Sequence, residues 1–173
     1  MSLDTGVPPT KMKSMKVIDN YLPREQFENI SKHILHQKFM WKYWDRVSDK
    51  TDTDDVWNSK FTHVAFENIQ LTDAVNVLAD FINSVGCKAL KRIIINSYPW
   101  TPEVKEHAAH KDYDFKHKGA LLNLTTCDGY TYVEGEKVMS VANRVILFDP
   151  SKSHYGTTTS SNKRRVIVNM NYF

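Results

Sequence analysis

Past Gly86 the chain is a succession of short runs rich in Ile, Val, Thr and Tyr, at 92–98, 120–126, 130–133, 137–141, 144–148 and 165–172. Such runs read as β-strands, because β-branched and aromatic side chains pack well on a pleated surface. Parallel neighbours need crossovers of a dozen or more residues, usually helical, and no helical pattern separates these runs. The sheet is therefore expected to be largely antiparallel, with Glu134-Gly135 as a hairpin turn between two strands. A single chain of this kind closes as a sandwich or a jelly roll, so the fold class is a β-rich α+β.

The first half supplies the helices. Leu22-Pro23 opens one, with Phe27, Ile30 and Ile34 on one face up to about Gln37. Thr72 is placed to cap a second, in which Val75, Leu78, Ala79, Ile82 and Val85 form a stripe and Gly86 is the stop. Residues 1–16 have no apolar period and read as a flexible leader, leaving 17–173 as one domain. Residues 44–60, rich in Asp, Thr and Ser but holding Trp44 and Trp57, read either as a lid or as a partly ordered surface loop.

Composition removes several classes. With 41% apolar and 25% charged residues the chain has ordinary globular content and should fold alone. A net charge of +3 gives no indication of a nucleic-acid partner. No apolar run is long enough to span a bilayer, and Cys87 and Cys127 fit no metal spacing, so they read as reduced thiols of a cytoplasmic protein. The sequence says nothing of oligomeric state.

Chemistry is concentrated in the second half. In His110-Lys111-Asp112 an imidazole and a carboxylate stand two residues apart, which in an extended segment puts both on one face. Such a tripeptide is common by chance, and its context decides. His154, in a loop after one apolar strand and before the last, adds a second imidazole. Two histidines and one carboxylate form the facial set that leaves metal positions open in non-haem Fe(II) oxygenases, whereas structural zinc wants four protein ligands. Next, Lys163-Arg164-Arg165 leads into the final strand, where a guanidinium can grip a carboxylate through two parallel hydrogen bonds. Arg165 shares its face with Ile167, Asn169 and Asn171, a polar lining that suits a wet pocket; Arg164, the alternative, shares its face with Val166, Val168 and Met170. His107 has no carboxylate at metal spacing and reads as a loop residue, and His33, His36, His63 and His117 read as ordinary polar positions.

These features together resemble the Fe(II)/2-oxoglutarate-dependent oxygenase superfamily, particularly its small prolyl-hydroxylase-like members and the short forms of phages and marine bacteria. The resemblance runs from about Val17 to Phe173 and rests on Asn96-Ser97-Tyr98, His110-Lys111-Asp112, Asp128-Gly129-Tyr130-Thr131, Asn143-Arg144 through Phe148-Asp149, His154 and the Arg-Arg strand. It implies a double-stranded β-helix, or jelly roll, with N-terminal and flanking helices on the outer face of its major sheet. It also implies Fe(II) on His110, Asp112 and His154, and 2-oxoglutarate as co-substrate held by Arg165 (or Arg164) and Tyr98. Oxidative decarboxylation to succinate and CO2 would then accompany hydroxylation of a substrate by O2. Trp100, Tyr113, Asn123 and Tyr155 would lie near the pocket mouth as substrate contacts or as packing residues. Two other readings stand beside it: a cupin-type isomerase or dioxygenase that needs no 2-oxoglutarate, and a non-enzymatic β-sandwich binding module in which His110 and Asp112 are incidental.

Overall fold

The computed structural model describes residues 15–48 and 55–173. In chain order the elements are β1 (Lys16–Ile18), α1 (Arg24–Ile34), β2 (Lys42–Trp44), β3 (Lys60–Glu67), β4 (Gln70–Leu71), α2 (Ala74–Val77), α3 (Ala79–Ser84), β5 (Leu90–Pro99), β6 (Lys118–Asn123), β7 (Tyr130–Val133), β8 (Glu136–Met139), β9 (Val145–Phe148), β10 (His154–Gly156) and β11 (Arg164–Tyr172). An eight-stranded sheet runs β1-β9-β6-β11-β5-β3-β2 with β4 on β3, and a three-stranded sheet runs β10-β7-β8. The strand pairs are antiparallel, as the absence of crossover helices requires.

Side-chain alternation along β11 explains the layers. Val166, Val168 and Met170 are buried with Ile30 and Ile34 of α1, Ala74 of α2, and Leu78 and Phe81, so this face of the large sheet carries the helices. Ile167 points the other way, into a second cluster with Tyr98, Leu121, Val133, Val138, Ile146 and Phe148 between the two sheets. Each fully buried Ile or Phe contributes roughly 1.5–3 kcal/mol, and truncating one such as Phe81 to Ala would cost about 3–5 kcal/mol. The helix layer therefore fixes the outer face and leaves the inner face free to carry polar groups. The architecture is a jelly roll with helices outside its major sheet.

Several local expectations need correction. The second helix breaks at Leu78 into two pieces. Its first turn, Val75-Asn76-Val77, has low helix propensity. Thr72 does not cap it; its hydroxyl lies 2.9 Å from Nε2 of His63, and the capping position is Asp73. Gly86 is the stop, at φ +65. α1 ends at Ile34 rather than near Gln37, because His36 turns the chain by accepting the Lys38 N–H on Nδ1. Lys16, placed in the leader by sequence, pairs with Leu147 in β1, and Met15 is buried beside it; the rest of the leader lies outside the described residues. The hairpin at Glu134-Gly135 is present, with both residues at positive φ, 50 and 85. β3 has no clean alternation because a bulge at Ala65 shifts its register against β5. No helix among the described residues is long and apolar enough to cross a membrane.

Candidate metal and dicarboxylate site

His110 and His154 are a directly opposed pair: each backbone N–H donates to the other's carbonyl at 2.9 Å. Opposed residues of an antiparallel pair put their side chains on the same face, and the rings lie 4.7 Å apart between centroids. Asp112, two residues on, returns to that face, and its backbone N–H is fastened to the carbonyl of Pro150 at 2.9 Å. The three side chains converge so that one ligand atom from each lies within 4.8 Å of the others. Nε2 of His110 is 3.7 Å, and Nε2 of His154 3.9 Å, from Oδ1 of Asp112.

The surroundings fix which atoms face the centre. Nδ1 of His110 lies 3.3 Å from the carbonyl of Ala108, and Nδ1 of His154 lies 2.9 Å from that of Lys152. A carbonyl needs a donor, so each ring directs its Nδ1–H to that carbonyl and turns Nε2 inward, an orientation that suits a metal-binding imidazole. Asp112 is held on both oxygens, Oδ1 by Nη2 of Arg92 at 3.0 Å and Oδ2 by Nδ2 of Asn169 at 3.1 Å. Burial pushes its carboxyl up, but Arg92, His154, Asn169 and His110 outweigh that and hold it below the usual carboxylate range. Burial, reinforced by the neighbouring His154, lowers the His110 imidazole from its ordinary value, so it stays neutral. Two imidazole nitrogens and one carboxylate oxygen around a common point fit a divalent iron with open positions.

Behind this cluster sits Arg165, 0% exposed. Its Nη2 donates to the Thr131 hydroxyl at 2.7 Å, Nη1 to the Thr157 carbonyl at 3.3 Å and Nε to the Ser140 hydroxyl at 3.4 Å, and its guanidinium lies 5.5 Å over the Tyr98 ring. Among the described residues no carboxylate forms an ion pair with it. A buried cation without a counter-charge is unfavourable, so the site suits an anion brought from outside. Tyr98 and Thr131 line a cavity of about 360 Å³ that also opens on His110, Asp112 and His154. Arg165 does not itself line the cavity but contacts its wall through Thr131 and Tyr98. Arg164 lies on the outer face instead, where Nη2 donates to the Leu35 carbonyl at the end of α1, at 2.9 Å.

No protein-family model matches the sequence, and no curated protein matches it. Solved structures do. A prolyl hydroxylase from Trichoplax adhaerens, in complex with a hypoxia inducible factor oxygen degradation domain peptide fragment, superposes with a TM-score of 0.66 over 94% of this chain and 84% of its own, at 13% identity. A 2OG-Fe(II) oxygenase family oxidoreductase from Burkholderia pseudomallei gives 0.65 over 92% and 84%, at 12% identity. A viral collagen prolyl hydroxylase from Paramecium Bursaria Chlorella virus-1, in its 2OG complex, gives 0.56 over 95% and 98%, at 14% identity. The fold is that of the 2OG-Fe(II) oxygenases.

Within this oxygenase fold the four substrate-contact candidates separate. Tyr155 lines the cavity and stacks on Tyr132, centroids 5.0 Å apart. Trp100 does not: it is 53% exposed, and its indole N–H donates to the Ser160 carbonyl away from the site. Asn123 is buried as a structural link, donating to the Arg144 carbonyl and accepting from the Ser140 hydroxyl. Tyr113 stands just outside, its hydroxyl 3.5 Å from Glu67, with Arg92 over its ring. Residues that sequence reasoning did not assign to the site are Arg92 and Thr131, which line the cavity, as do Trp44 and Lys60 at the two ends of the segment read as a lid or surface loop. Arg92 carried a usable signal, since it shares strand parity with Asn96 and Tyr98. His107 does lie outside the regular strands but is buried, which its loop assignment did not anticipate.

Proposed function

We propose that residues 17–173 form one catalytic domain of a non-haem Fe(II)- and 2-oxoglutarate-dependent dioxygenase, a hydroxylase of a substrate not yet identified. The observation that carries this reading is the pairing of two unlike features: a convergent His110, Asp112 and His154 set that lines the cavity, and a buried Arg165, with no ion-paired carboxylate among the described residues, in contact with the lining residues Thr131 and Tyr98. A cupin-type enzyme working without 2-oxoglutarate has no use for the second feature, and a binding module has no use for the first.

When bound, iron and 2-oxoglutarate would supply the oxidising chemistry, in which decarboxylation to succinate and CO2 drives hydroxylation of a C–H bond by O2. The protein's residues hold and orient. His110 and His154 offer Nε2 and Asp112 a carboxylate oxygen to the iron, while the Ala108 and Lys152 carbonyls, Arg92 and Asn169 keep those ligands in register. Arg165, assisted by Tyr98 and Thr131, grips the co-substrate's distal carboxylate. The substrate would enter past Trp44, Lys60 and Tyr155, which line the cavity. The free thiols Cys87 and Cys127 are consistent with a reducing, cytoplasmic setting.

Anaerobic addition of 2-oxoglutarate to the Fe(II)-loaded protein should give the weak visible charge-transfer absorption of a 2-oxo acid chelated to iron. Its absence at saturating iron and 2-oxoglutarate refutes the proposal.

A further inference from the structure

Three aromatic rings form a continuous stack, of which Tyr98 lines the cavity. His107 lies between Trp57, centroids 5.7 Å apart at 30°, and Tyr98, 5.2 Å apart at 31°. The imidazole is 3% exposed, and neither of its ring nitrogens has a hydrogen-bond partner among the described residues. Buried polar atoms are seldom left unbonded, and each exception calls for a physical reason. Stacking does not supply one, since a phenyl ring would fill the same slot without burying two polar atoms.

Its neighbours supply the reason. The backbone N–H of His107 donates to the Gly156 carbonyl at 3.0 Å. A Cβ on Gly156 would lie 3.1 Å from Nη1 of Arg165 and 4.0 Å from the Tyr98 hydroxyl, so the ends of those two side chains meet at this glycine. Burial lowers the His107 pKa to about 3, and the charges of Arg165, Lys60 and His110 push the same way, so the ring is neutral and carries one N–H and one bare nitrogen. A neutral donor beside a guanidinium that lacks a counter-anion is incomplete until a carboxylate arrives.

We infer that His107 is a binding residue for the dicarboxylate co-substrate, donating its ring N–H to the carboxylate that Arg165 grips. The inference rests on the function proposed above and adds a third donor to Arg165 and Tyr98.

The test uses His107→Phe and His107→Leu, which remove the donor, and His107→Gln, which keeps an N–H. For each, affinity for 2-oxoglutarate is read by anaerobic titration of the Fe(II) protein, alongside Fe(II) affinity and the melting temperature of the ligand-free protein. The donor-free variants should bind 2-oxoglutarate roughly tenfold more weakly, in line with the loss of one hydrogen bond to a charged group. Their Fe(II) affinity should stay within about twofold, and their ligand-free melting temperature should hold or rise, since unbonded polar atoms have been removed. His107→Gln should keep most of the affinity. Wild-type affinity in both donor-free variants overturns this inference alone, and a loss in His107→Gln equal to that in His107→Phe assigns the effect to packing and overturns it too. Failure of the wild-type protein to bind 2-oxoglutarate overturns this inference together with the reading beneath it.

Discussion

Replacing Arg165 by Met removes the buried charge while keeping an unbranched side chain in the slot. In the native site the guanidinium makes one short hydrogen bond, to Thr131 at 2.7 Å, and two long ones, at 3.3 and 3.4 Å. Exchanging an unpaired buried cation for an apolar chain is often neutral or stabilising, so the ligand-free protein should melt within a few degrees of wild type. Binding should change far more. A hydrogen bond to a charged group contributes roughly 1.5–3 kcal/mol, which predicts a one- to two-order loss of 2-oxoglutarate affinity. At a ligand concentration about a hundred times the wild-type Kd, the native state gains about 2.7 kcal/mol, or roughly 5–10 °C for a domain of this size. With Kd raised a hundredfold the gain falls to about 0.4 kcal/mol, a shift near 1 °C. Anaerobic thermal melts of the Fe(II) protein, with and without 2-oxoglutarate, read this directly. Arg164→Ala is the control: its side chain bonds the Leu35 carbonyl on the outer face, so it should lose about 0.5–1.5 kcal/mol of stability and keep the full ligand shift. An unchanged ligand shift in Arg165→Met refutes the assignment.

Other outcomes follow from the same geometry. His110→Ala, Asp112→Ala and His154→Ala should each weaken Fe(II) binding severely by calorimetry, because two protein ligands hold the ion poorly. Asn169→Leu, which removes only the hydrogen bond to Oδ2 of Asp112, should weaken it by roughly ten- to a hundredfold. Gly129→Ala would set a Cβ 2.5 Å from the Thr158 carbonyl oxygen and 2.7 Å from Cδ of Arg165; denaturant melts should show a loss of about 1–3 kcal/mol, with weaker 2-oxoglutarate binding. His107 is held near pKa 3 when folded against 6.5 ordinarily, so the unfolded chain takes up its proton first. Its contribution to stability is full above pH 6.5 and is lost progressively as pH falls toward 3. The slope is at most about 1.4 kcal/mol per pH unit, and His107→Phe should flatten that part of the pH profile.

What the sequence disclosed and what it hid divide along physical lines. Strands with regular alternation were legible: β11 showed both its faces, so parity favoured Arg165 while leaving Arg164 open as the alternative. The bulge at Ala65 broke that period in β3, and the strand went unread until its pairing with β5 was visible. Thr72 had the right chemistry for a helix cap, but His63 claimed its hydroxyl from another element. Local spacing brought out His110 and Asp112, whereas the direct opposition of His110 and His154 depends on a long-range backbone bridge that no spacing encodes. Arg92 and His107 act through contacts with distant segments, and their burial was invisible in a list of residues.

The central claim is that one cavity holds iron on His110, Asp112 and His154 and a dicarboxylate at its Arg165 end. A crystal grown or soaked anaerobically with Fe(II) and 2-oxoglutarate tests it most directly. The account predicts a metal roughly 2.0–2.2 Å from Nε2 of both histidines and from an Asp112 oxygen, chelated by the 2-oxo acid end. The far carboxylate should lie within hydrogen-bond distance of the Arg165 guanidinium. A metal bound elsewhere, or a 2-oxoglutarate whose far carboxylate does not reach Arg165, would contradict it.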